Sequence, residues 1–542
     1  MAPPPLRPFA RLVLIAALAL GACQDAPQRP ACAPGKVCLE YGDDTEPATL
    51  DPSLAQLIAE DVVIGDLMMG LTTEAADGRV IPGMAQRWET SDDGLTWTFH
   101  LRPALWSDGA PVTADDFVFA YRRILRPATG APYAYMMQIL QNGAAAAAGK
   151  APLETVGASA PDPRTLVLRL THPAPYLPQL LTHTSFYPIP AHAVRRYGDA
   201  WVKPGRYVSN GAYRLVSWRL GDRMTVEKNP RFFDSAHVCV DRIDYYPTPD
   251  FVAAERRVAR GELDIAIPFQ SNRLQHIRAT LPGYARTHPW LLTGYLTFNN
   301  RDLGPLRDLR VRRALSEAVD REFIADKLLR AGQAPAYAFT PPGTANAQAG
   351  ARTAWAGKSL AARQAQARAL LAQAGYGPGR PLKLELKTST LTDSLLLAQA
   401  VQADWRAVGV EARTVQSEGQ ILFADLRARN FQVAFVSWIG DFNDPLTFLG
   451  LFQSTTGAQN YGDYRNPAYD GLLAAADREA DAGRRTALLG RAEQTLLNDE
   501  AVAPIYFGVS RSLVNPRITG WGGNIQNRHR ARWLCVKPGE IR

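Results

Sequence analysis

Strict alternation of apolar and polar side chains predicts half-buried β-strands in two segments of the chain. The segments are LTWTFHLRP, 95–103, and RTLVLRLTHP, 164–173. Apolar residues take every second position in both, and those of the first segment are Leu95, Trp97, Phe99 and Leu101. The runs VCLEYG, 37–42, and PLKLELKTS, 381–389, predict two further strands.

Apolar residues at intervals of three and four predict helices between these strands. In TADDFVFAYRRIL, Thr113 is the expected N-cap and Asp116 stands at the third helical position. The segment RVRRALSEAVDREFIADKLLRAG predicts one helix that ends at Gly332, and KSLAARQAQARALLAQAGYG predicts another. Strands and helices alternate from end to end, so the predicted fold class is α/β with mixed sheets.

Length and composition indicate a soluble protein with more than one lobe. A chain of 542 residues is far larger than a single small core. Apolar residues make up 46% and charged residues 21%, which is ordinary for a globular protein. The net charge of +8 falls to +6 without residues 1–22, and the basic residues are scattered. We therefore expect a solvated surface and no nucleic-acid partner.

The N-terminus has the layout of a secretory signal. Arg7 and Arg11 precede a short apolar stretch, Leu12 to Leu20, which is far below the roughly 20 residues that a helix needs to cross a bilayer. The tetrapeptide LGAC then ends at Cys23 and resembles the bacterial lipobox, in which the cysteine is acylated. Ordinary signal cleavage beside a chance cysteine is the alternative. The expectation is a signal peptide over 1–22, a lipidated Cys23 and membrane attachment through lipid only.

Four cysteines remain if Cys23 is lipidated. An even number of cysteines in an oxidising compartment favours disulfides, and three pairings are possible. The short separation favours Cys32 with Cys38 as a local loop, which leaves Cys239 with Cys535 as a long-range link. None of the spacings resembles a zinc site.

The sequence carries no recognisable catalytic, metal or cofactor motif. The eight histidines form no HExxH and no cluster with cysteines, and there is no G-x-S-x-G elbow and no P-loop lysine. Asp441 and Asp444 could in principle serve as a glycosidase pair, but such carboxylates flank a bond from opposite sides. We expect no enzyme, no metal site and no cofactor.

Several stretches resemble, together and in order, the extracytoplasmic oligopeptide-binding proteins that serve ABC transporters, solute-binding protein family 5. The similarity runs from about Val37 to near Arg542. It is carried by EPATLDP, WSDGAPVTADDFVFAYRRIL, APYAY, VSNGAY, FNN before DLRVRRALSEAVDRE, PAYAFTPPG, ALLAQAGYG and WIGDFNDPLTFL. The resemblance implies a three-lobed periplasmic-binding-protein type II fold with a discontinuous first domain.

The resemblance also implies domain boundaries. After a linker over 23–36, the first domain takes 37–68, 192–290 and 509–542. The second domain is an insertion over 69–191, and the third runs over 291–508. Cys239 and Cys535 then fall in the same domain, which agrees with their pairing.

A peptide ligand defines the expected site. Its α-amino charge is costly to bury alone, so the site needs a fixed anion. Asp441 matches the aspartate that provides this anion in the family, and Trp438, shortly before it, is a further expected ligand contact. Ser437 and Ile439 would offer backbone groups to the peptide. Further matching positions are Gln56 and Ile58 on a ligand-contacting loop, and Tyr133 and Tyr295 as aromatic cleft residues; core packing is the alternative for both tyrosines.

Other positions depart from the family or have a different expected role. Phe435 replaces an arginine that can meet a ligand carboxylate, and Gly419 replaces a tryptophan that walls a side-chain pocket. A family cysteine pair falls on Leu292 and Ile439. Asp444, followed by a proline, is expected to cap the turn and the next helix.

The resulting prediction is a monomeric, lipid-anchored protein of the periplasm or cell envelope. It would capture oligopeptides in a closing cleft and deliver them to the permease subunits of an ABC importer. The same fold could instead bind a murein peptide, an opine-like compound or a metal chelate. A secreted hydrolase is the alternative from another class, and it would need a nucleophile or metal constellation that the sequence does not reveal.

Overall fold

The computed structural model describes residues 31–301 and 304–537. The predicted signal peptide and the predicted lipidation site, Cys23, lie outside these residues. Among the described helices, none is both long and apolar enough to cross a membrane.

The strands and helices follow one another along the whole described chain. The strands are β1 Cys38–Asp43, β2 Thr72–Glu74, β3 Val80–Pro82, β4 Ala85–Thr90, β5 Thr96–Leu101, β6 Ala158–Asp162, β7 Thr165–Arg169, β8 Tyr213–Arg219, β9 Arg223–Lys228, β10 Arg242–Pro247, β11 Ile265–Ala266, β12 Ala285–Phe298, β13 Ala334–Pro335, β14 Leu382–Ser389, β15 Val410–Ser417, β16 Val433–Ile439, β17 Val502–Val514, β18 Ile518–Thr519 and β19 Cys535–Val536. The α-helices are α1 Ile58–Leu67, α2 Ala114–Leu125, α3 Gly143–Ala147, α4 Leu177–Leu180, α5 Ala191–Tyr197, α6 Phe251–Ala259, α7 Leu274–Thr280, α8 Leu309–Glu317, α9 Arg321–Phe323, α10 Leu360–Gln373, α11 Thr392–Ala407, α12 Gly419–Arg427, α13 Leu446–Leu449, α14 Pro467–Asp477 and α15 Ala482–Asn498.

Most of the predicted elements are confirmed. The alternating segments form β5 and β7, which pair directly, and the other two predicted strands form β1 and β14. Helix α2 starts after Thr113, whose backbone N–H donates to the Asp116 carboxylate at 3.0 Å. This bond ties the residue before the helix to its third position and so fixes where α2 begins.

The prediction of one helix from 310 to Gly332 is wrong. Helix α8 ends at Glu317, and Asp320 starts a new turn by accepting a hydrogen bond from the Phe323 N–H at 3.0 Å. The side chain of Arg321 is buried and donates to four backbone carbonyl oxygens, which holds the break in place. A π-helical turn follows and ends at Arg330 with φ 64°. Tertiary bonds of a buried guanidinium thus override a sequence pattern that is helical throughout.

Eleven of the described strands form one mixed sheet that crosses the molecule. Its order is β15-β14-β16-β12-β17-β11-β1-β10-β9-β8, with β13 also paired to β17. A separate antiparallel sheet of order β4-β5-β7-β6 lies in the segment 69–191. The long strands β12 and β17 are therefore the part of the large sheet that joins its two halves.

The pairing between β12 and β17 changes register in the middle. Pro289 pairs with Val509, whereas Thr293 pairs with Phe507, so three residues of β12 stand opposite one residue of β17. That residue is Gly508, and a Cβ there would lie 2.6 Å from the Leu292 side chain. The irregularity falls at 290–292 and 508, which are the positions where the sequence predicts the first and third domains to meet.

The buried apolar side chains of the described chain form several clusters. One large hydrophobic cluster combines residues from 39–71, 84–189 and 193–267. The segment 291–508 has two hydrophobic clusters of its own, one around Trp405 and one around Phe339. The first two predicted domains thus share a core, and the third packs mainly on itself.

Two disulfides occur in the described chain. Cys32 is bonded to Cys38 with a Cα separation of 5.9 Å, and Cys239 is bonded to Cys535 with a Cα separation of 5.1 Å. The second bond ties the loop before β10 to the short strand β19, near the C-terminal end of the described chain.

Candidate functional site

Asp441 stands directly beyond the C-terminal end of β16. The backbone N–H of the preceding Gly440 donates to the Leu291 carbonyl at 2.7 Å, which keeps the chain paired to β12 up to that point. The Asp441 N–H then donates to the hydroxyl of Thr447 in α13 at 2.9 Å. The strand end and the following helix thereby fix the backbone of this aspartate.

The Asp441 carboxylate meets two tyrosines from the segment 69–191, the predicted insertion. The Tyr135 hydroxyl donates to Oδ2 at 3.2 Å, and the Tyr133 hydroxyl makes a longer contact of 3.4 Å with Oδ1. Among the described residues, no Lys, Arg or His lies within 4.0 Å of this carboxylate. Burial raises the pKa of Asp441 to about 6, although the tyrosine hydrogen bonds and the charge of Arg528 oppose the rise.

Arg528 links residues of the three predicted domains beside Asp441. Its Nη2 donates to the backbone carbonyl of Asp441 at 3.0 Å, and its Nη1 donates to Glu74 at 3.0 Å and to the Thr182 hydroxyl at 3.2 Å. Its Nε lies 3.4 Å from Asp61 of α1. Arg528 therefore orients the backbone of Asp441 while its own charge is balanced by other acids.

Asp61, one of the acids that pair with Arg528, is held ionised. Burial opposes ionisation of Asp61, but the charges of Arg530 and Arg528 outweigh it and lower its pKa to about 2. His183 packs edge-on against the Tyr133 ring at 4.7 Å, and its burial lowers its pKa to about 3. The charge states of Asp61 and His183 consequently stay constant across the neutral range of pH.

Strand β16 has an open backbone edge next to Asp441. Hydrogen bonds from Gly440 to Leu291 and from Asn299 to Gln432 mark the two ends of its pairing with β12. Backbone groups alternate in direction along an antiparallel pair, so the even-numbered residues of β16 face β12 and the odd-numbered ones face away. On that second edge, β14 pairs only with Val433 and Ala434.

Ser437 and Ile439 are odd-numbered members of this strand. Their N–H and C=O groups therefore point to the edge that β14 leaves uncovered, and the Ser437 side chain is exposed. An extended peptide laid along this edge would find the partners that a further strand would find.

A cavity of about 440 Å³ adjoins Asp441. One wall comes from the inserted segment and includes Tyr135 and Tyr176. The other wall comes from 438–477 and includes Trp438 and Phe442. Tyr176 and Phe442, one from each wall, stack directly on each other with ring centroids 5.7 Å apart. Its size and its mixed lining of aromatic, aliphatic and polar side chains suit part of a small ligand.

Asp444 has a different environment from Asp441. It is fully buried, and both of its oxygens accept from the guanidinium of Arg485 at 2.8 Å. It also accepts from the Leu446 N–H at 3.1 Å, whereas the N-cap position of α13 is taken by Pro445 and not by Asp444 as predicted. Within 31–301 and 304–537, no three His, Cys, Asp or Glu side chains converge to hold a metal ion.

The structure brings only some of the predicted site residues together. Asp441, Trp438 and Tyr133 lie at the cavity or at the carboxylate itself. Gln56 and Ile58 are exposed at the start of α1 and relate to the site through Asp61, which pairs with Arg528. Tyr295 lies apart, buried in an aromatic cluster with Phe339 and Phe452 at centroid distances of 5.0 and 6.4 Å.

The positions that depart from the family pattern also have clear places. Phe435 is buried and stacks on Tyr506, and Gly419 begins α12 in open space. Leu292 and Ile439 stand directly opposite each other in the β12–β16 pair. A cysteine at each of these two positions would face the other across the ladder.

Two important residues of the site were not predicted from the sequence. Tyr135 lies in the same APYAY motif as Tyr133 and makes the shorter bond to Asp441. Arg528 belongs to a run of three alternating arginines, 528, 530 and 532, whose regular spacing could have marked a buried charged strand-like segment.

The chain is similar to known proteins over most of its length. The model for bacterial extracellular solute-binding proteins, family 5 Middle, matches residues 79–460. The periplasmic oligopeptide-binding protein OppA of Salmonella typhimurium is 36% identical over 493 residues, which are 90% of each chain.

Two solved structures share the fold. The Escherichia coli murein tripeptide binding protein MppA has a TM-score of 0.85 and 35% identity, covering 93% of this chain and 99% of its own. Haemophilus influenzae OppA, in complex with RPPGFSPFR, has a TM-score of 0.83 and 32% identity, covering 94% of this chain and 99% of its own. The predicted fold is thereby confirmed. The chain belongs to the bacterial extracellular solute-binding proteins, family 5.

Proposed function

We propose that this protein captures oligopeptides by their free amino terminus and delivers them to an ABC importer. The observation that carries the proposal is the Asp441 carboxylate, which two tyrosine hydroxyls hold and no described cation within 4.0 Å neutralises. A charge in this state is costly for the protein alone, and a ligand ammonium group would compensate it.

The peptide backbone would lie along the open edge of β16. Ser437 and Ile439 direct their backbone groups to this edge, so they can pair with the first residues of an extended chain. Main-chain pairing of this kind gives affinity without reading side chains. The ligand class is therefore defined by a free amine followed by an extended backbone.

Closure of the site depends on contacts between the three predicted domains. Tyr133 and Tyr135 approach Asp441 from the inserted segment, and Arg528 approaches it from the C-terminal segment. We infer that a bound peptide is enclosed when these contacts form, and that the predicted boundaries at 290–292 and 508 act as the hinge. The protein has no catalytic role in this proposal and works as a monomer.

Isothermal titration calorimetry of the purified protein tests the proposal. Tripeptides with a free amino terminus should bind, and the same tripeptides with an acetylated amino terminus should bind at least tenfold more weakly. Equal affinities would reject Asp441 as an amine site. Incubation with mixed peptides, followed by mass spectrometry, should show no cleavage products, and turnover would favour the hydrolase alternative.

A murein peptide is the second candidate, because the similarity to MppA is as extensive as the similarity to OppA. Native mass spectrometry of the protein purified from its own host would distinguish the two by the mass of a retained ligand.

The proposed location is the periplasm or cell envelope, with an acyl anchor on Cys23. Mass analysis of the mature N-terminus tests this separately, since an acylated Cys23 carries added lipid mass and Cys23→Ser should release the protein from membranes.

A further inference from the structure

The cavity beside Asp441 contains a second acid, Asp477. Asp477 lines the wall formed by 438–477, together with Asp441 and Trp438. The rest of the lining is mainly aromatic, aliphatic and uncharged polar.

Asp477 occupies an unfavourable position for an acid. It is the last residue of α14, where the partial negative charge of the helix end repels a carboxylate. Its Oδ1 is buried and has no hydrogen-bond partner in the described chain, and no described Lys, Arg or His lies within 4.0 Å of it. Burial also raises the pKa of Asp477, against the charges of His172 and Arg485. An unpaired buried acceptor of this kind costs stability unless something binds it.

The cationic side chains near Asp477 interact with other groups or with solvent. Arg485 directs both of its Nη atoms to Asp444 at 2.8 Å and lies over the Tyr176 ring at 4.6 Å. Arg478 is exposed to solvent beyond the helix end. His172 lines the cavity, and its ring Nδ1 lies 3.1 Å from the Pro173 carbonyl oxygen. The charge of Asp477 is therefore not cancelled by a direct ion pair from the protein.

The position of the cavity relative to β16 indicates which part of a peptide could reach Asp477. Its lining includes Leu446 and Thr447, which follow Asp441, but neither Ser437 nor Ile439 of the open strand edge. If the peptide amine binds Asp441 and the peptide backbone runs along β16, the side chain of the first peptide residue would enter the cavity.

We propose that Asp477 recognises a cationic side chain on the first residue of the peptide, such as lysine, ornithine or arginine. This inference rests on the proposed function and names its ligand class. Asp441 holds the α-amino group, Asp477 holds the side-chain charge, and the aromatic walls enclose the methylene chain between them. The result is a preference for peptides that begin with a basic residue.

Calorimetry with two matched tripeptides tests this inference. Lys-Ala-Ala and norleucine-Ala-Ala differ in the side-chain charge at the first residue, while their unbranched side chains are similar in length. The unaltered protein should bind the lysine peptide roughly 10-fold to 100-fold more tightly, the range for a charge-assisted bond. Equal affinity for the two peptides would overturn the inference and leave the proposed function intact, whereas no binding of either peptide would count against both.

The variant Asp477→Asn should abolish the preference. Its affinity for norleucine-Ala-Ala should stay within about twofold of the unaltered protein, which also shows that the variant is folded. A preference that persists in Asp477→Asn would overturn the role of this residue. Asp477→Lys serves as a second variant and should favour Glu-Ala-Ala over Gln-Ala-Ala, while the absence of this reversal in a protein that binds norleucine-Ala-Ala would contradict the inference.

Discussion

Arg528 donates to the backbone carbonyl of Asp441 at 3.0 Å and leaves the carboxylate of that residue to two tyrosines. The guanidinium is near enough to orient Asp441, yet its charge is balanced by Glu74 and Asp61. No described side chain therefore takes the place of a peptide amine as the cation that pairs with this carboxylate. This arrangement separates the positioning of the aspartate from the neutralisation of its charge.

Replacement of Asp441 by asparagine should weaken the binding of peptides by about 1.5 to 3 kcal/mol or more, because a charge-assisted bond is lost and the ligand amine is left without its anion. Calorimetry with a tripeptide measures the change. The exposed Asp92 provides a matched control, since Asp92→Asn makes the same chemical change away from the site. Unchanged affinity of Asp441→Asn would remove this residue from the site.

Peptide affinity should fall as the pH is lowered from 7 to 5. The pKa of Asp441 is raised to about 6, so the carboxylate becomes protonated below that pH and loses its attraction for the amine. The peptide α-amino group, with a pKa near 8, stays charged over this range. Asp61 and His183 do not titrate there, because their pKa values are about 2 and about 3. In Asp441→Asn the affinity should be nearly constant between pH 7 and 5, and an identical pH profile would contradict the assignment.

Two tyrosine variants should distinguish a tyrosine that contacts the ligand site from a tyrosine that only packs in the core. Tyr135→Phe removes the 3.2 Å donor to Asp441, which should weaken peptide binding by about 0.5 to 1.5 kcal/mol and move the acid side of the pH profile upward. Tyr295→Phe changes a ring that is buried against Phe339 and should leave the affinity unaltered. Calorimetry of both variants at several pH values measures these effects. A loss of affinity in Tyr295→Phe would place that residue at the ligand.

Local sequence patterns predict much of this fold because the local interactions agree with it. Alternation gives β5 and β7, and the bond between Thr113 and Asp116 marks the start of α2. The break after α8 escapes prediction because it depends on the carbonyl oxygens of Ala336 and Pro504, which reach Arg321 from distant parts of the chain.

The site could be predicted only in part for the same reason. Asp441 is recognisable from its position at the end of an apolar strand, and the family motif adds its role. Tyr135 and Arg528, in contrast, are more than 80 residues away from it, and only the packing of the lobes brings them to the carboxylate and to its backbone. No local pattern distinguishes Tyr135 from Tyr133, or places Tyr295 in the core.

Mass spectrometry of peptides released without reduction should show one link between Cys32 and Cys38 and another between Cys239 and Cys535, since these pairs are joined in the structure. The same digest after reduction and alkylation is the control, in which both linked species disappear. Free thiols at these positions, or a link between Cys38 and Cys239, would contradict the pairing.

The two acids of the GDFND segment should affect stability in opposite directions. Asp444 and Arg485 form a buried pair, so Asp444→Asn leaves a buried guanidinium without its partner and should lower the free energy of unfolding by about 3 to 5 kcal/mol.

Asp441 has a pKa of about 6 in the folded state, which is above its ordinary value, so its ionised form opposes folding. This cost is present above pH 6 and disappears as the pH falls below about 4. Ligand-free Asp441→Asn should therefore be more stable than the unaltered protein at pH 7.5, by about 1 to 2 kcal/mol for a partly solvated group. The difference should shrink toward pH 4.5. Urea unfolding at the two pH values measures both variants, and a destabilised Asp441→Asn at pH 7.5 would show that this carboxylate serves the fold rather than the ligand.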